Sequence, residues 1–80
     1  MAKYFYDLVI SVFDKNGNRI EAHEDFGSCN KRETMKRRTQ LKKEIKAGKY
    51  DKYANFENGE TLCAEIEVHD DETYSLLWVE

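Results

Sequence analysis

Two stretches of this chain alternate apolar and polar residues with a period of two, and that alternation leaves little room for anything but an antiparallel sheet. Over residues 4 to 13 the even positions Tyr4, Tyr6, Leu8, Ile10 and Val12 form one apolar face. Over residues 61 to 69, Leu62, Ala64, Ile66 and Val68 share a face opposite Thr61, Cys63, Glu65, Glu67 and His69. Turn chemistry follows each stretch, so each predicts a hairpin. In the first, a two-residue Asn16-Gly17 loop places Val12 opposite Glu21 and sets the two apolar faces at odds. A three-residue loop, Lys15-Asn16-Gly17 with Gly17 left-handed, pairs Val12 with Ile20, Ile10 with Ala22 and Tyr6 with Phe26, and this is the predicted register. In the second, a loop at Asp70-Asp71-Glu72 pairs Val68 with Tyr74, Ile66 with Leu76 and Ala64 with Trp78. Tyr53 to Phe56, followed by Asn58-Gly59, reads as a short additional strand.

Between the hairpins the period changes to that of a helix, from about Lys31 to Ala47. Asn30 is a favourable N-cap, Glu33 stands where a capping box needs it, and Gly48 supplies the stop. Thr34, Leu41 and Ile45 fall on one narrow arc, which must face the sheet. Eighty residues support one thin core rather than two. The fold class is therefore α+β: residues 1–80 form a single domain with an antiparallel sheet of four to five strands, ββα then a C-terminal β-hairpin or three-strand meander, and one helix packed on one face.

Charge is distributed unevenly along that plan. Residues 31 to 49 carry nine Lys or Arg against Glu33 and Glu44, a local balance of +7, while the remainder holds four basic and fourteen acidic residues, so the net charge of −3 conceals a strong asymmetry. On a helical wheel Lys31, Arg32, Lys36, Lys42, Lys43, Lys46 and Lys49 spread over the face opposite Leu41 and Ile45, with Met35 in their midst. Lys31 and Arg32 stand in the first turn, where the helix dipole disfavours cations. A face that breaks a local rule in this way suggests binding to an anionic surface.

A second surface follows from the odd positions. Phe5, Val9 and Phe13 in the first strand, and Leu77 and Val79 in the last, give these strands a second apolar face that a single helix cannot cover. They are expected to be neighbours in the middle of the sheet, with the exposed patch covered by a homodimer mate or a partner protein, or by the chain's own segment from Lys49 to Asn55.

Catalytic and metal chemistry find little support in local spacing. His23-Glu24-Asp25 and His69-Asp70-Asp71 place imidazole beside carboxylates, but adjacent strand residues point to opposite faces, so no metal site or other cofactor is expected from these tripeptides. Cys29 and Cys63 form no Cys-x-x-Cys pair and read as free thiols in a reducing cytoplasm. Neither a signal-peptide pattern nor an apolar run of bilayer length occurs in the sequence, which predicts a cytoplasmic protein without membrane contact. No acid, base and nucleophile assemble, so the protein is expected not to be an enzyme.

The small size, dense charge, absence of proline and simple sheet-plus-helix plan resemble the small accessory proteins encoded by bacteriophages, among them inhibitors of CRISPR and other host defences. That resemblance implies a non-enzymatic inhibitor acting in the host-cell cytoplasm on a nucleic-acid-handling complex. A protein partner is expected because the acidic strands repel phosphate; the alternative is a nucleic-acid-binding module using helix 31–49 alone.

Overall fold

The computed structural model describes residues 3–80. Its centre is strand β1 (Tyr4–Phe13), flanked by β2 (Arg19–Ser28) and β3 (Thr61–Asp70), with β4 (Leu76–Val79) outside β3; the order is β2-β1-β3-β4 and every pairing is antiparallel. Helix α1 (Lys31–Lys46) packs on one face, which makes this the expected α+β fold. β1 and β3 pair without interruption from Tyr4 opposite Asp70 to Phe13 opposite Thr61. Their even-numbered residues meet on the helix side, so Tyr6, Leu8, Ile10, Ala64, Ile66 and Val68 form one apolar cluster with Leu41.

The first turn has the predicted form. Asp14 N–H donates to the Asn18 carbonyl at 2.8 Å, Gly17 N–H donates to the Asp14 carbonyl at 3.0 Å, and Gly17 has φ of 83°. The predicted register does not persist beyond it. Phe13 lies opposite Arg19, but Val12 lies opposite Glu21 and Ile10 opposite His23; a second irregularity brings Phe26 opposite Leu8 and leaves Tyr6 opposite Ser28. Each bulge gives one β2 residue no partner of its own, Ile20 first and Asp25 second. The first pushes Ile20 into solvent. The second returns Phe26 to the core and lets Asp25 reach the helix.

The C-terminal hairpin also pairs differently from expectation. Val68 faces Trp78 and Glu67 faces Val79, while Ile66 and Glu80 exchange backbone hydrogen bonds of 2.9 and 2.8 Å. The loop is longer because the Asp70 carboxylate organises it, accepting from the N–H groups of Glu72 and Thr73 at 2.9 and 3.0 Å. β4 is therefore an edge strand and not a neighbour of β1. The ten-residue β3 matches β1 along its whole length and continues the core, which the four residues of β4 cannot do. The additional strand near Tyr53 is replaced by two 3-10 turns, Asp51–Tyr53 and Phe56–Asn58. Tyr50 and Tyr53 pack against the core from the helix side, so this segment does not cover the opposite face of the sheet.

The helix begins and ends as its sequence indicates. Asn30 Oδ1 accepts from Glu33 N–H at 3.1 Å, while Ser28 Oγ, rather than the Glu33 side chain, accepts from Asn30 N–H at 3.0 Å. At the other end Lys49 N–H donates to the Glu44 carbonyl and Gly48 N–H to that of Ile45, both at 3.1 Å, with Gly48 at φ of 89°. Thr34 and Leu41 are fully buried and Ile45 partly so. That narrow stripe is supplemented by charge. Arg37 donates from Nε and Nη2 to the two Asp25 oxygens at 2.8 and 3.0 Å, and from Nη1 and Nη2 to Glu44 at 3.3 Å. Among the described residues no helix is long and apolar enough to cross a membrane.

Arg37 makes the attachment of the helix sensitive to acid. Its hydrogen bond holds the Glu44 carboxyl below the usual 4.5, against the opposing effect of burial. A lowered folded-state pKa stabilises the fold above the unfolded value and is lost as pH falls through the folded one. Urea unfolding at decreasing pH is expected to show this loss below about pH 4.5, and Arg37→Gln is expected to flatten that part of the profile.

Candidate functional site

The outer face of α1 is cationic in three dimensions as well as on the wheel. Lys31, Arg32, Met35, Lys36, Lys42, Lys43, Lys46 and Lys49 are all exposed. Lys31 Nζ lies 3.5 Å from Glu80 and Lys49 Nζ 3.6 Å from Glu44. No other ion pair within 4 Å engages Arg32, Lys36, Lys42, Lys43 or Lys46 among the described residues. Glu80 therefore accounts for Lys31 in the first turn, and Arg32 alone remains in conflict with the dipole. Arg38 bonds the Glu80 carbonyl at 3.3 Å and the Met35 sulfur at 3.4 Å, which fixes Met35 within the charged surface.

The odd-numbered residues of β1 occupy a different environment. Val9 is only 3% exposed, Phe5 and Phe13 are half-buried, and Leu77 and Val79 remain exposed. β3 lies between β1 and β4, so Phe5, Val9 and Phe13 are separated in the sheet from Leu77 and Val79. The exposed apolar residues concentrate instead on β4, where Leu76, Leu77, Trp78 and Val79 form the sheet edge.

The face of the sheet away from the helix holds a second charged arrangement, which the tripeptide reading missed. Asp7 is 4% exposed and His69 6%. His69 Nε2 lies 3.4 Å from Glu67 Oε1 and 4.0 Å from Asp7 Oδ2. The loop before β4 folds over them. The Tyr74 ring stacks on His69 with centroids 4.1 Å apart, and its hydroxyl donates to Asp7 Oδ2 at 2.7 Å. Tyr74 adopts φ of 57°, which side-chain-bearing residues seldom occupy, and these contacts hold it there. Arg19, brought onto this face by the register at the first turn, pairs with Glu67 Oε2.

The chemistry of this face is that of crowded carboxylates. Glu24 is held above its ordinary range, first by the neighbouring Asp7 carboxylate and its charge, then by burial and Glu67. The buried side-chain oxygens without a hydrogen-bond partner among the described residues are Asp7 Oδ1, Ser11 Oγ and Glu65 Oε1, and all three belong to this face. The alternation already placed Glu65, Glu67 and His69 on one side of β3, and an acid among the apolar residues of β1 marked Asp7. The signal lay in positions two apart on β3 and in its register with β1, rather than in adjacent residues.

Both thiols are held above the ordinary thiol range. Cys29 is pushed up by desolvation and by Asp71, whose Oδ1 accepts from its sulfur at 3.5 Å, and Cys63 is pushed up by burial and Glu65. Comparison with protein-family models, curated proteins and solved structures finds no match.

The Tyr74 hydroxyl reports on the acidic cluster directly. Its hydrogen bond to Asp7, with burial and the neighbouring carboxylates, pushes its pKa up to about 12. A stopped-flow alkaline titration of tyrosine absorbance is expected to show one ring ionising near that value. In Asp7→Asn that ring is expected to return toward about 10.

Proposed function

We propose that this protein is a non-enzymatic interaction module that docks on a macromolecular partner through the outer face of α1. The observation that carries this reading is the set of five exposed cations, Arg32, Lys36, Lys42, Lys43 and Lys46, without an ion-pair partner among the described residues. Such a face steers and orients an anionic partner, and Met35 offers an adaptable apolar contact in its midst. A protein bearing an acidic patch suits the whole molecule better than a nucleic acid does. The remaining surface carries Glu21, Glu57, Glu60 and Glu72, all negative, so phosphate would be attracted by one face and repelled by the rest. The resemblance to phage accessory proteins makes inhibition of a nucleic-acid-targeting defence complex the first setting in which to look.

Charge reversal tests the proposal. The triple variant Lys36→Glu, Lys42→Glu, Lys46→Glu is expected to retain the wild-type circular dichroism spectrum, because these side chains are exposed, and to lose by about tenfold or more its binding to a partner captured by the wild-type protein. Unchanged binding overturns the assignment to this face. Fluorescence anisotropy with random-sequence DNA and RNA separates the partner classes. Tight binding that weakens steeply with salt favours the nucleic-acid alternative over a protein partner.

A further inference from the structure

The acidic cluster on the opposite face is built from three parts of the fold. Asp7 comes from the centre of β1, Glu67 and His69 come from adjacent same-face positions of β3, and Tyr74 closes over them from the β3–β4 loop. One potential ligand atom from each of Asp7, Glu67 and His69 lies within 4.8 Å of the others. The orientation of the imidazole is fixed. Its Nδ1 lies 3.2 Å from the Tyr74 carbonyl, which can only accept, so Nδ1 carries the proton and donates. In the neutral ring this turns the Nε2 lone pair toward Glu67 Oε1 and Asp7 Oδ2.

The surrounding hydrogen bonds leave Glu67 Oε1 free toward His69, while Asp7 Oδ2 faces His69 with the Tyr74 hydroxyl bonded to it. Arg19 engages Glu67 Oε2 and leaves Oε1 toward His69. Tyr74 engages Asp7 Oδ2, while Asp7 Oδ1 is buried with no hydrogen-bond donor among the described residues. That unpartnered oxygen is an observation separate from the clustering, because each oxygen of a carboxylate 96% buried normally finds a donor or a cation. Asp7 and Glu67, opposite one another across β1 and β3, share this region with one guanidinium. Like charges so disposed are stabilised by a shared proton or by a bound cation.

We propose that Asp7, Glu67 and His69 bind a first-row divalent cation of the zinc class. Imidazole selects against magnesium and calcium, which take oxygen ligands, and suits zinc. Ligand atoms about 2.0 to 2.1 Å from tetrahedral zinc lie roughly 3.3 Å apart. The Glu67 Oε1 to His69 Nε2 separation of 3.4 Å already matches, and Asp7 Oδ2 at 4.0 Å requires a small side-chain movement. The Tyr74 carbonyl on Nδ1 and the Tyr74 hydroxyl on Asp7 supply the outer hydrogen bonds that orient such ligands. The site stands apart from the helix face and does not depend on the docking proposal.

The test is competition of the EDTA-treated protein with a chromophoric indicator for Zn2+, using Cys29→Ser, Cys63→Ser as the parent to remove thiol binding. One zinc per chain is expected, undisplaced by excess Mg2+, with affinity reduced by about a hundredfold or more in His69→Ala and in Glu67→Gln. His23→Ala, which alters the exposed His23–Glu21 pair, is expected to bind as the parent does. Equal binding by the parent and His69→Ala, or loss of binding in His23→Ala, overturns the proposal. A second readout needs no variant at the site. Long-range proton–nitrogen spectra of the histidine rings in the folded parent are expected to show Zn2+ shifting His69 Nε2 while Nδ1 keeps its proton, and an unchanged His69 at saturating Zn2+ overturns it equally.

Discussion

The uninterrupted pairing of β1 with β3 is the constraint on which the rest of the structure depends. It joins two hairpins that are remote in sequence, and it sets the even-numbered residues of both strands against the helix. The same register delivers the odd-numbered residues to the other face, where Asp7 meets Glu67 and Phe5 meets His69. Because side chains alternate strictly, the apolar core and the acidic cluster are two consequences of one alignment. A slip of β1 by one residue would turn its apolar set away from the helix and Asp7 toward it, while β3 kept its faces.

Two arginines connect these layers. Arg37 ties the helix to the bulged Asp25 of β2 and to Glu44, supplementing an apolar stripe limited to Thr34, Leu41 and Ile45. Arg19 does the equivalent on the opposite face by engaging Glu67. Lys31 and Arg38 reach Glu80 at the sheet edge, Arg32, Lys36, Lys42, Lys43 and Lys46 are exposed, and Asp7 and Glu67 stand opposite one another on the far face. The result is a thin two-layer molecule, about 14 Å through its Cα atoms, with positive charge on the helical side and negative charge on the other.

Much of this was legible in the sequence, because alternation, caps and turn residues act locally. The Lys15-Asn16-Gly17 loop, the Asn30 cap, the Gly48 stop and the buried arc of Thr34, Leu41 and Ile45 all follow from neighbours within a few positions. The bulges at Ile20 and Asp25 did not, because what they satisfy lies elsewhere: Phe26 must enter the core, Asp25 must meet Arg37, and Arg19 must meet Glu67. The length of the β3–β4 loop depended on Asp70 acting as a local cap rather than as a turn residue of no further consequence. On sequence alone Lys31 opposes the helix dipole, because its partner Glu80 lies at the far end of the chain. The basic face was legible as composition and periodicity, whereas the acidic cluster required the pairing of strands sixty residues apart.

A carboxylate such as Asp7, buried among like charges, is more costly to the fold than a neutral residue of the same shape. Under the cation-binding proposal, its place in the middle of the central strand serves binding rather than stability. The most direct measurement is the urea unfolding free energy of Asp7→Asn against the wild-type protein, in EDTA at neutral pH. A more stable variant is the expected result, since one like charge is removed from beside Glu67 while the Tyr74 hydroxyl keeps an oxygen to bond. A less stable variant would contradict it, and would show the cluster to be part of the scaffold itself.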